Sequence, residues 1–304
     1  MSNRPFSDRV DETERQLRRH VEMLSGVIGE RNVPYHFGAL EAAAQYIEDQ
    51  MRTSRHSPTS QRFQVLNKTV RNIVSEVRGV KNPERIWVVG AHYDSIDGSP
   101  AANDNGSGIA GVLEMARLLG SGRPRDTIRF VAFVNEEPPF YKGSAMGSLV
   151  YAQSCREKAE QIMGMVNLEM IGCYSNVRGS QRYPVPLDRG IAKWFLPDRG
   201  NFIAFVGNTA SWKLTWRCRR LFKKSIRFPS LWIPAPRWVE CAGMSDHWSF
   251  WEQGYPAVMV TDTAFFRYSH YHKASDTSDK INYPSMARVV SGLAGMMRHL
   301  IGAD

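Results

Sequence analysis

The sequence predicts a three-layer α/β/α fold built on a central mixed, mostly parallel β-sheet. Strand-like runs rich in β-branched and aromatic residues alternate along the chain with segments of helical periodicity. This alternation is typical of a parallel sheet covered by helices on both faces. Polar side chains directly follow several of the strand-like runs, as expected at the ligand-binding edge of such a sheet. With 304 residues, the chain is long enough to form one large α/β domain.

The first half of the chain supplies three helices and most of the predicted strands. Apolar residues recur at helical spacing in residues 11–30 and again in residues 40–51. Strand-like runs follow at residues 61–66, 70–77, 85–91 and 127–134. A loop rich in Gly, Asn, Asp and Ser at residues 97–108 leads into a predicted helix over residues 109–119.

The second half continues the alternation with less regularity. It predicts helices at residues 144–155 and 285–301 and strands at residues 163–168 and 257–261. Residues 173–245 follow no simple pattern and are rich in tryptophan, but no Gly/Ser-rich linker separates them from the rest. We therefore predict one catalytic domain over residues 1–304, with an irregular Trp-rich insertion at about 173–245.

Composition indicates an ordinary globular protein, with 42% hydrophobic and 23% charged residues. No run of 18 apolar residues exists, so we expect no membrane-spanning helix and no membrane partner. Residues 1–30 lack the apolar core of a secretory signal, which makes a cytoplasmic location the default expectation and leaves a secreted form open. The cysteines (Cys155, Cys173, Cys218 and Cys241) have no C-x-x-C spacing. We expect reduced thiols, with a Cys218–Cys241 disulfide as the alternative.

The net charge of +9 raises the question of nucleic-acid binding. Much of this charge lies in one stretch, at Arg217, Arg219, Arg220, Lys223, Lys224 and Arg227. The spacing is typical of the solvated face of a helix, and neither a zinc-finger spacing nor an RNA-recognition motif accompanies it. We therefore expect no nucleic-acid partner.

Imidazole and carboxylate groups at distant positions are candidates for a metal site. They are His92, Asp104, the pair Glu136 and Glu137, Glu169 and His272. Hydrolytic zinc sites use imidazole and carboxylate ligands and keep one position open for water. A two-metal site also needs a carboxylate that bridges ions about 3.5–4 Å apart.

Each of these residues alone is weak evidence, because single histidines, Asn-Asp-Asn-Gly turns and Glu-Glu pairs are common. The strand-like runs make the evidence stronger, because His92, Glu136 and Glu169 each stand just after the end of one of them. Burying carboxylates without partners is costly, and a metal ion offsets that cost. Together the residues predict a metal site at the carboxyl edge of the sheet.

The ordered motifs resemble those of the co-catalytic zinc aminopeptidases, a family that also contains glutaminyl cyclases and glutamate carboxypeptidase-like exopeptidases. The motifs are H-x-D at 92–94, ANDNGSG at 102–108, NEE at 135–137, NLEM at 167–170, SDH-x-x-F at 245–250 and YH-x-x-SDT at 271–277. The resemblance extends from about residue 24 to the C-terminal helix and is weakest over residues 174–237. It implies a zinc-exopeptidase, phosphorylase/hydrolase-like fold and hydrolysis of the N-terminal residue of a peptide substrate.

The resemblance also implies a ligand set for two zinc ions. Asp104 would bridge both ions, His92 and Glu169 would complete one site, and Glu137 and His272 the other. Many family members have Asp where this sequence has Glu169, but the longer side chain still reaches a metal. Relatives that cyclise glutamine hold one zinc with similar ligands, so a single ion remains possible.

Three further residues receive catalytic roles from the resemblance. Glu136 would be the general base that takes a proton from the attacking water and passes it to the leaving amine. Asp94 would orient the imidazole of His92, and Tyr271 would stabilise the developing oxyanion. Asp246 and His247 match a family motif without a definite role.

Two alternatives to an aminopeptidase stay open. Glutaminyl cyclisation or carboxypeptidase chemistry would use the same scaffold, and the sequence separates these reactions poorly. A catalytically inactive binding protein would also keep the fold, but the complete set of ligand residues argues against it.

Overall fold

The protein is described here by a computed structural model that covers residues 6–54, 56–184, 188, 196–236 and 239–303. The strands are β1 (Thr59–Val65), β2 (Lys68–Val77), β3 (Asn82–His92), β4 (Asp126–Phe133), β5 (Gln161–Glu169), β6 (Ile203–Asn208), β7 (Ser230–Ala235) and β8 (Ala257–Thr261). The helices are α1 (Phe6–Val21), α2 (Phe37–Thr53), α3 (Gly108–Leu119), α4 (Gly147–Glu157), α5 (Trp212–Ser225), α6 (His247–Glu252) and α7 (Tyr283–Ile301). Wide π-type turns at Glu22–Ile28 and Ala102–Ser107 precede α2 and α3.

All eight of these strands form a single sheet in the order β1-β2-β4-β3-β5-β8-β6-β7. The four central strands β4, β3, β5 and β8 are neighbours and run parallel to one another. Antiparallel pairings attach the β1–β2 hairpin at one side and the parallel β6–β7 pair at the other. Four of the seven pairings are therefore parallel, and the predicted mixed, mostly parallel sheet is confirmed.

Helices cover both faces of this sheet because its central strands are apolar on both sides. On β3, Trp87 and Val89 pack into the larger core beneath α1, α2, α3, α5 and α7. Ile86 and Val88 alternate with them and pack into a second core beneath α4 and α6. The three-layer architecture predicted from the sequence is therefore confirmed.

Helix α4 begins later than the prediction of residues 144–155. Met146 is extended, with φ −69° and ψ 120°, and the amide of Gly147 donates to the carbonyl of Val134. The chain before Gly147 thus still belongs to the turns that follow β4. The apolar residues there continue the helical spacing, but they pack as a loop.

Residues 173–245 contain, in their described part, regular secondary structure that the sequence analysis did not identify. They contribute β6, α5 and β7, a parallel crossover that extends the main sheet. The pattern was hidden because β6 is short and buried at every position, while edge strand β7 contains Pro234. Residues 185–187, 189–195 and 237–238 lie outside the described residues.

Two smaller expectations concern the cysteines and the membrane. All four cysteines are free thiols, and Cys155 and Cys218 are buried. The described helices include none with the length and hydropathy needed to cross a bilayer.

Candidate metal centre

The carboxyl ends of adjacent parallel strands bring the predicted groups to one edge of the sheet. His92 is the last residue of β3 and Glu169 the last residue of β5. Glu136 and Glu137 follow β4, which lies next to β3. Parallel neighbours end at the same edge, and this is why residues so distant in sequence meet.

Asp104 lies at the centre of the cluster and faces a histidine with each oxygen. Its Oδ1 is 3.4 Å from Nε2 of His92, and its Oδ2 is 3.1 Å from Nε2 of His272. The same His92 nitrogen is 3.6 Å from Oε2 of Glu169, and the His272 nitrogen is 3.5 Å from Oε2 of Glu137. The five predicted ligands thus form two groups of three that share Asp104.

Glu136 and Tyr271 flank this cluster. Oε2 of Glu136 lies 3.8 Å from Nε2 of His92, and the Glu136 side chain is almost fully buried. The ring of Tyr271 stacks on that of His272, with centroids 3.7 Å apart and an interplanar angle of 19°. Both residues therefore stand where a substrate bound at the cluster would meet them.

Asp94 connects His92 to the loop that carries the two glutamates. Its Oδ1 lies 3.5 Å from Nδ1 of His92 and also accepts a hydrogen bond from the amide of Glu136. Its Oδ2 accepts from the amide of Glu137. Asp94 therefore fixes the backbone of the Glu136–Glu137 pair as well as facing the imidazole.

The electrostatics of the cluster show an excess of buried negative charge. Burial raises the pKa of Glu136 and of Glu137 well above the usual range of a glutamate, and burial also raises the pKa of Glu169. Against the effect of burial, the approach of His272 and His92 lowers the pKa of Asp104 to about 2. A divalent cation among these groups would stabilise their ionised forms.

The polar atoms of the cluster also fit a metal ion. Both ring nitrogens of His92 and Oε1 of Glu137 are buried and have no hydrogen-bond partner within the described ranges. Buried polar atoms in native proteins normally have a hydrogen-bond partner, so three unpartnered atoms in one cluster require an explanation. Imidazole nitrogens and carboxylate oxygens are the donor set that zinc takes in hydrolytic sites.

Several backbone positions beside the cluster are held in the left-handed region. Ala101 precedes the Asp104 segment with φ 54°, Asn135 precedes Glu136 with φ 62°, and Met170 follows Glu169 with φ 48°. His272 itself has φ 56°. Such conformations cost about 1–3 kcal/mol each in non-glycine residues and persist only where the surrounding fold imposes them. Here Asn135 and Met170 turn the chain just after β4 and β5, and Ala101 and His272 turn it in the loops beside the cluster.

Comparison with known proteins places this geometry in a family. A family model described as Peptidase family M28 matches residues 72–297. The chain belongs to peptidase family M28. The predicted resemblance and the prediction of a metallopeptidase are therefore confirmed.

Relatives of this M28 chain include aminopeptidases of the same fold. It is 35% identical to the protein YfbL of Escherichia coli K12 over 290 residues, which cover 93% of this chain and 87% of YfbL. It is 33% identical to the aminopeptidase YwaD of Bacillus subtilis over 191 residues, which are 62% of this chain but only 34% of YwaD. Among solved structures, the B. subtilis zinc aminopeptidase BSAP superposes with a TM-score of 0.76 at 17% identity, over 95% of both chains. A glutaminyl cyclase from Fimbriiglobus ruber gives a TM-score of 0.66 at 20% identity, over 94% of both chains.

Two residues that the sequence analysis did not identify hold Glu169 in the M28 cluster. Ser245 donates its hydroxyl to Oε2 of Glu169 at 2.6 Å, and Asn105 donates its side-chain amide to the same oxygen at 3.1 Å. Ser245 also accepts from the side chain of Asn167. Their positions inside the SDH, ANDNGSG and NLEM motifs were the available signal, but the contacts depend on the folded geometry.

Two buried aspartates support the segment that carries Asp104. Asp276 accepts hydrogen bonds from the amides of Asn103 and Asp104 and from the hydroxyl of Tyr268. Asp262 accepts from the side-chain amide of Asn103. Burial raises the pKa of both Asp276 and Asp262 to about 6. The carboxylate at the centre of the cluster is thus fixed through its own backbone.

Arg31 is the most deeply buried cation near the M28 site. Its guanidinium donates to five main-chain carbonyls, those of Leu24, Gly29, Tyr93, Pro100 and Ala101. Burial lowers the pKa of Arg31 to about 10, and the nearby acidic groups of the cluster oppose that shift. Arg31 therefore ties the loop before α2 to the chain on both sides of residues 94–99.

An apolar cavity of about 120 Å³ opens beside the metal cluster. Glu169 and Tyr271 stand at the cluster side of this cavity. Its wall is formed mainly by apolar side chains, including those of Val206, Ile233 and Met259. Eleven of its nineteen lining residues belong to the segment 173–245, so the segment that the sequence did not resolve provides much of the surface next to the site.

Proposed function

We propose that this protein is a zinc-dependent aminopeptidase that hydrolyses the N-terminal residue of peptides. The observation that carries the proposal is the arrangement of five side chains in two groups that share Asp104. Each oxygen of the Asp104 carboxylate faces a different histidine. This arrangement suits a carboxylate that bridges two divalent ions. Family membership and the fold shared with zinc aminopeptidases support the same reaction.

The proposed ligand set follows the two groups. His92, Asp104 and Glu169 would hold one zinc ion, and Asp104, Glu137 and His272 the other. Ser245 and Asn105 support this assignment, because both donate to Oε2 of Glu169, the oxygen that faces His92, and thereby orient its carboxylate.

Glu136 is the proposed general base. Zinc, when bound, supplies Lewis acidity that polarises the scissile carbonyl and makes the attacking water more acidic. Glu136 lies beside His92 and outside the two groups that share Asp104, although it forms a third group with His92 and Glu137. We assign it to proton transfer because the two Asp104 groups together already account for the five proposed ligands. It takes the proton of the attacking water and delivers it to the leaving amine. Asp94 holds the Glu136 backbone in place through the amide hydrogen bond.

Tyr271 is proposed to stabilise the oxyanion that develops on the scissile carbonyl. Its stacking on His272 fixes the ring beside the cluster. Burial raises the pKa of Tyr271 far above that of a free tyrosine, so the phenol keeps its proton and can donate it in a hydrogen bond.

The cavity beside Glu169 gives the proposed side-chain preference. Its wall is mainly apolar, although Arg182 also lines it, and it favours a large aliphatic or aromatic residue at the substrate N-terminus. Full burial of such a side chain contributes about 1.5–3 kcal/mol. We therefore expect leucyl and phenylalanyl substrates to be cleaved in preference to glycyl substrates.

A panel of aminoacyl arylamides, assayed with the zinc-loaded full chain, tests this function. Release of the arylamine from leucine and phenylalanine derivatives, abolished by a chelator and restored by zinc, is the expected result. The same preparation is assayed with glutaminyl peptides, where formation of pyroglutamate without arylamide hydrolysis would identify a cyclase instead. Absence of both activities in a zinc-loaded, folded protein would favour an inactive binding protein.

A further inference from the structure

The outer face of α5 combines exposed tryptophans with a dense basic charge. Trp212 is 46% exposed and Trp216 is 45% exposed. The surrounding exposed residues are all basic, namely Lys213, Arg217, Arg220, Lys223, Lys224 and the following Arg227. The helix contains no acidic residue. We call Trp212, Trp216 and these six residues the α5 patch.

The α5 patch is separate from the apolar face that packs α5 onto the sheet. Leu214, Cys218 and Phe222 form that inner face, and Phe222 packs against Phe205 of β6 with ring centroids 5.3 Å apart. These inner-face contacts anchor the helix on the sheet. Close to half of each of the two tryptophan residues remains in water on the other side of the helix, although burying these rings would be favourable.

The charges of the α5 patch have no acidic partner among the described residues. No carboxylate from the described stretches of the chain forms an ion pair with any of its six basic side chains. Arg220 lies over the ring of Trp216 at 5.0 Å, and Lys213 lies 5.7 Å from that of Trp212. The patch thus presents uncompensated positive charge together with indole rings.

A third tryptophan extends the same surface. Trp232 of β7 is 36% exposed and pairs in register with Phe205, whose ring packs on α5. Paired residues of parallel strands point to the same face of a sheet, so Trp232 emerges on the α5 side. Trp232 and the α5 patch therefore form one continuous face.

The first turn of α5, which carries Trp212, lies away from the metal cluster, and the helix then runs back towards the edge of the sheet that holds Glu169. Strand β6 runs antiparallel to β8, so the end of β6 and the first turn of α5 lie at the edge opposite Glu169. The hydroxyl of Ser211, just before α5, accepts from the amide of Ala257 at the start of β8. A partner bound at Trp212 would therefore leave the cluster open to water.

We propose that the α5 patch and Trp232 dock the protein on an anionic phospholipid bilayer, with the metal centre facing the aqueous phase. Indole rings favour the head-group region of a bilayer, and basic side chains are attracted to anionic lipids. Nucleic acid is less suited, because the tryptophans project from a convex helix instead of lining a groove in which bases stack. The surface thus matches a bilayer in both its charge and its aromatic content.

Flotation of the full chain with vesicles tests the proposal. Vesicles of phosphatidylcholine alone are compared with an equimolar mixture of phosphatidylcholine and phosphatidylglycerol. We expect binding to the mixed vesicles only, weakening with added salt. The variant R217E/R220E/K224E should lower the partition coefficient at least about 100-fold. The variant W212S/W216S should also lower the partition coefficient, although the charge of the protein is unchanged.

A matched control separates the α5 patch from net charge. The variant R62E/R78E/K81E reverses three exposed basic residues around β1 and β2, at the other edge of the sheet. It should retain most of the vesicle binding. Hydrolysis of a soluble arylamide and the melting temperature should be unchanged in all variants, and R217Q/R220Q/K224Q replaces the charge reversal if that variant does not fold.

Three results would overturn the proposal. The first is equal binding to neutral and mixed vesicles, or none to either. The second is an equal loss of binding in the α5 variant and in the control variant. The third is tight binding of a DNA duplex by a protein that does not bind mixed vesicles, which would assign the surface to nucleic acid.

Discussion

His92 and His272 approach opposite oxygens of one carboxylate, that of Asp104, with their Nε2 atoms at 3.4 Å and 3.1 Å. Two histidines from the two ends of the domain thereby converge on a single side chain. The relationship requires β3 to end at His92 and the chain after β8 to return to the same edge. It defines the centre on which the proposed chemistry depends.

Glu136 and Glu137 should respond differently to the same substitution. Glu136→Gln should keep the zinc content and lower kcat about 10²–10⁴-fold, because a proton carrier is lost. Glu137→Gln should instead lower the zinc content, because a ligand is lost. Metal analysis and arylamide kinetics on both variants check this. Equal zinc loss in the two variants, or full activity in Glu136→Gln, would contradict the division of roles.

Filling the apolar cavity should change substrate preference without affecting the metal. Val206→Phe places a ring in the space proposed for the substrate side chain. We expect the ratio of kcat/KM for leucyl over alanyl arylamide to fall about 10-fold, since the larger side chain no longer fits. The control Val206→Ala enlarges the cavity and should preserve the preference for leucine. An unchanged ratio in Val206→Phe would show that the substrate binds elsewhere.

Arg31 should be required as an arginine and not simply as a cation. Lysine has no planar fork and cannot reach five carbonyls, so Arg31→Lys leaves buried acceptors unsatisfied. We expect the free energy of unfolding in urea to fall by about 2–4 kcal/mol. Arg78 is exposed, and Arg78→Lys serves as the control. It should change the free energy of unfolding by less than about 0.5 kcal/mol. Similarly small decreases in the free energy of unfolding in both variants would contradict this structural role of Arg31.

His20 should make the stability of the domain sensitive to acid. Burial lowers the pKa of His20 to about 4, and its Nδ1 lies 2.7 Å from the Tyr46 hydroxyl. An unfolded histidine has a pKa of about 6.5. The unfolded state therefore binds the proton more tightly than the folded state. The contribution of neutral His20 to the stability of the fold is complete above about pH 6.5 and is lost as the pH falls towards 4.

The test compares the chain with its His20→Gln variant by urea unfolding at pH 7 and pH 5. A chelator is present throughout, so that metal loss does not contribute. Between these pH values the wild type should lose about 2 kcal/mol more stability than the variant. Parallel losses would show that His20 titrates normally.

The sequence was sufficient to predict the central strands and the polar groups at their ends. The apolar runs of β3, β4 and β5 are long and continuous, because these strands are buried on both faces. Strands β3 and β5 end at His92 and Glu169, and Glu136 follows shortly after β4. The role of Arg31 was not predictable, since its partners are main-chain carbonyls that only the folded chain brings together. Strands β6 and β7 were missed because short or edge strands carry little alternation.

Zinc content per chain, measured by elemental analysis in the wild type and in Asp104→Asn, tests the central claim most directly. The account predicts two zinc ions per wild-type chain and fewer than one in the variant, because Asp104 belongs to both proposed sites and the substitution removes its negative charge and one of its two oxygens. The Asp49→Asn control, at an exposed position on α2, should retain both ions. A wild type that binds no zinc, or an Asp104→Asn variant that retains two ions, would contradict the account.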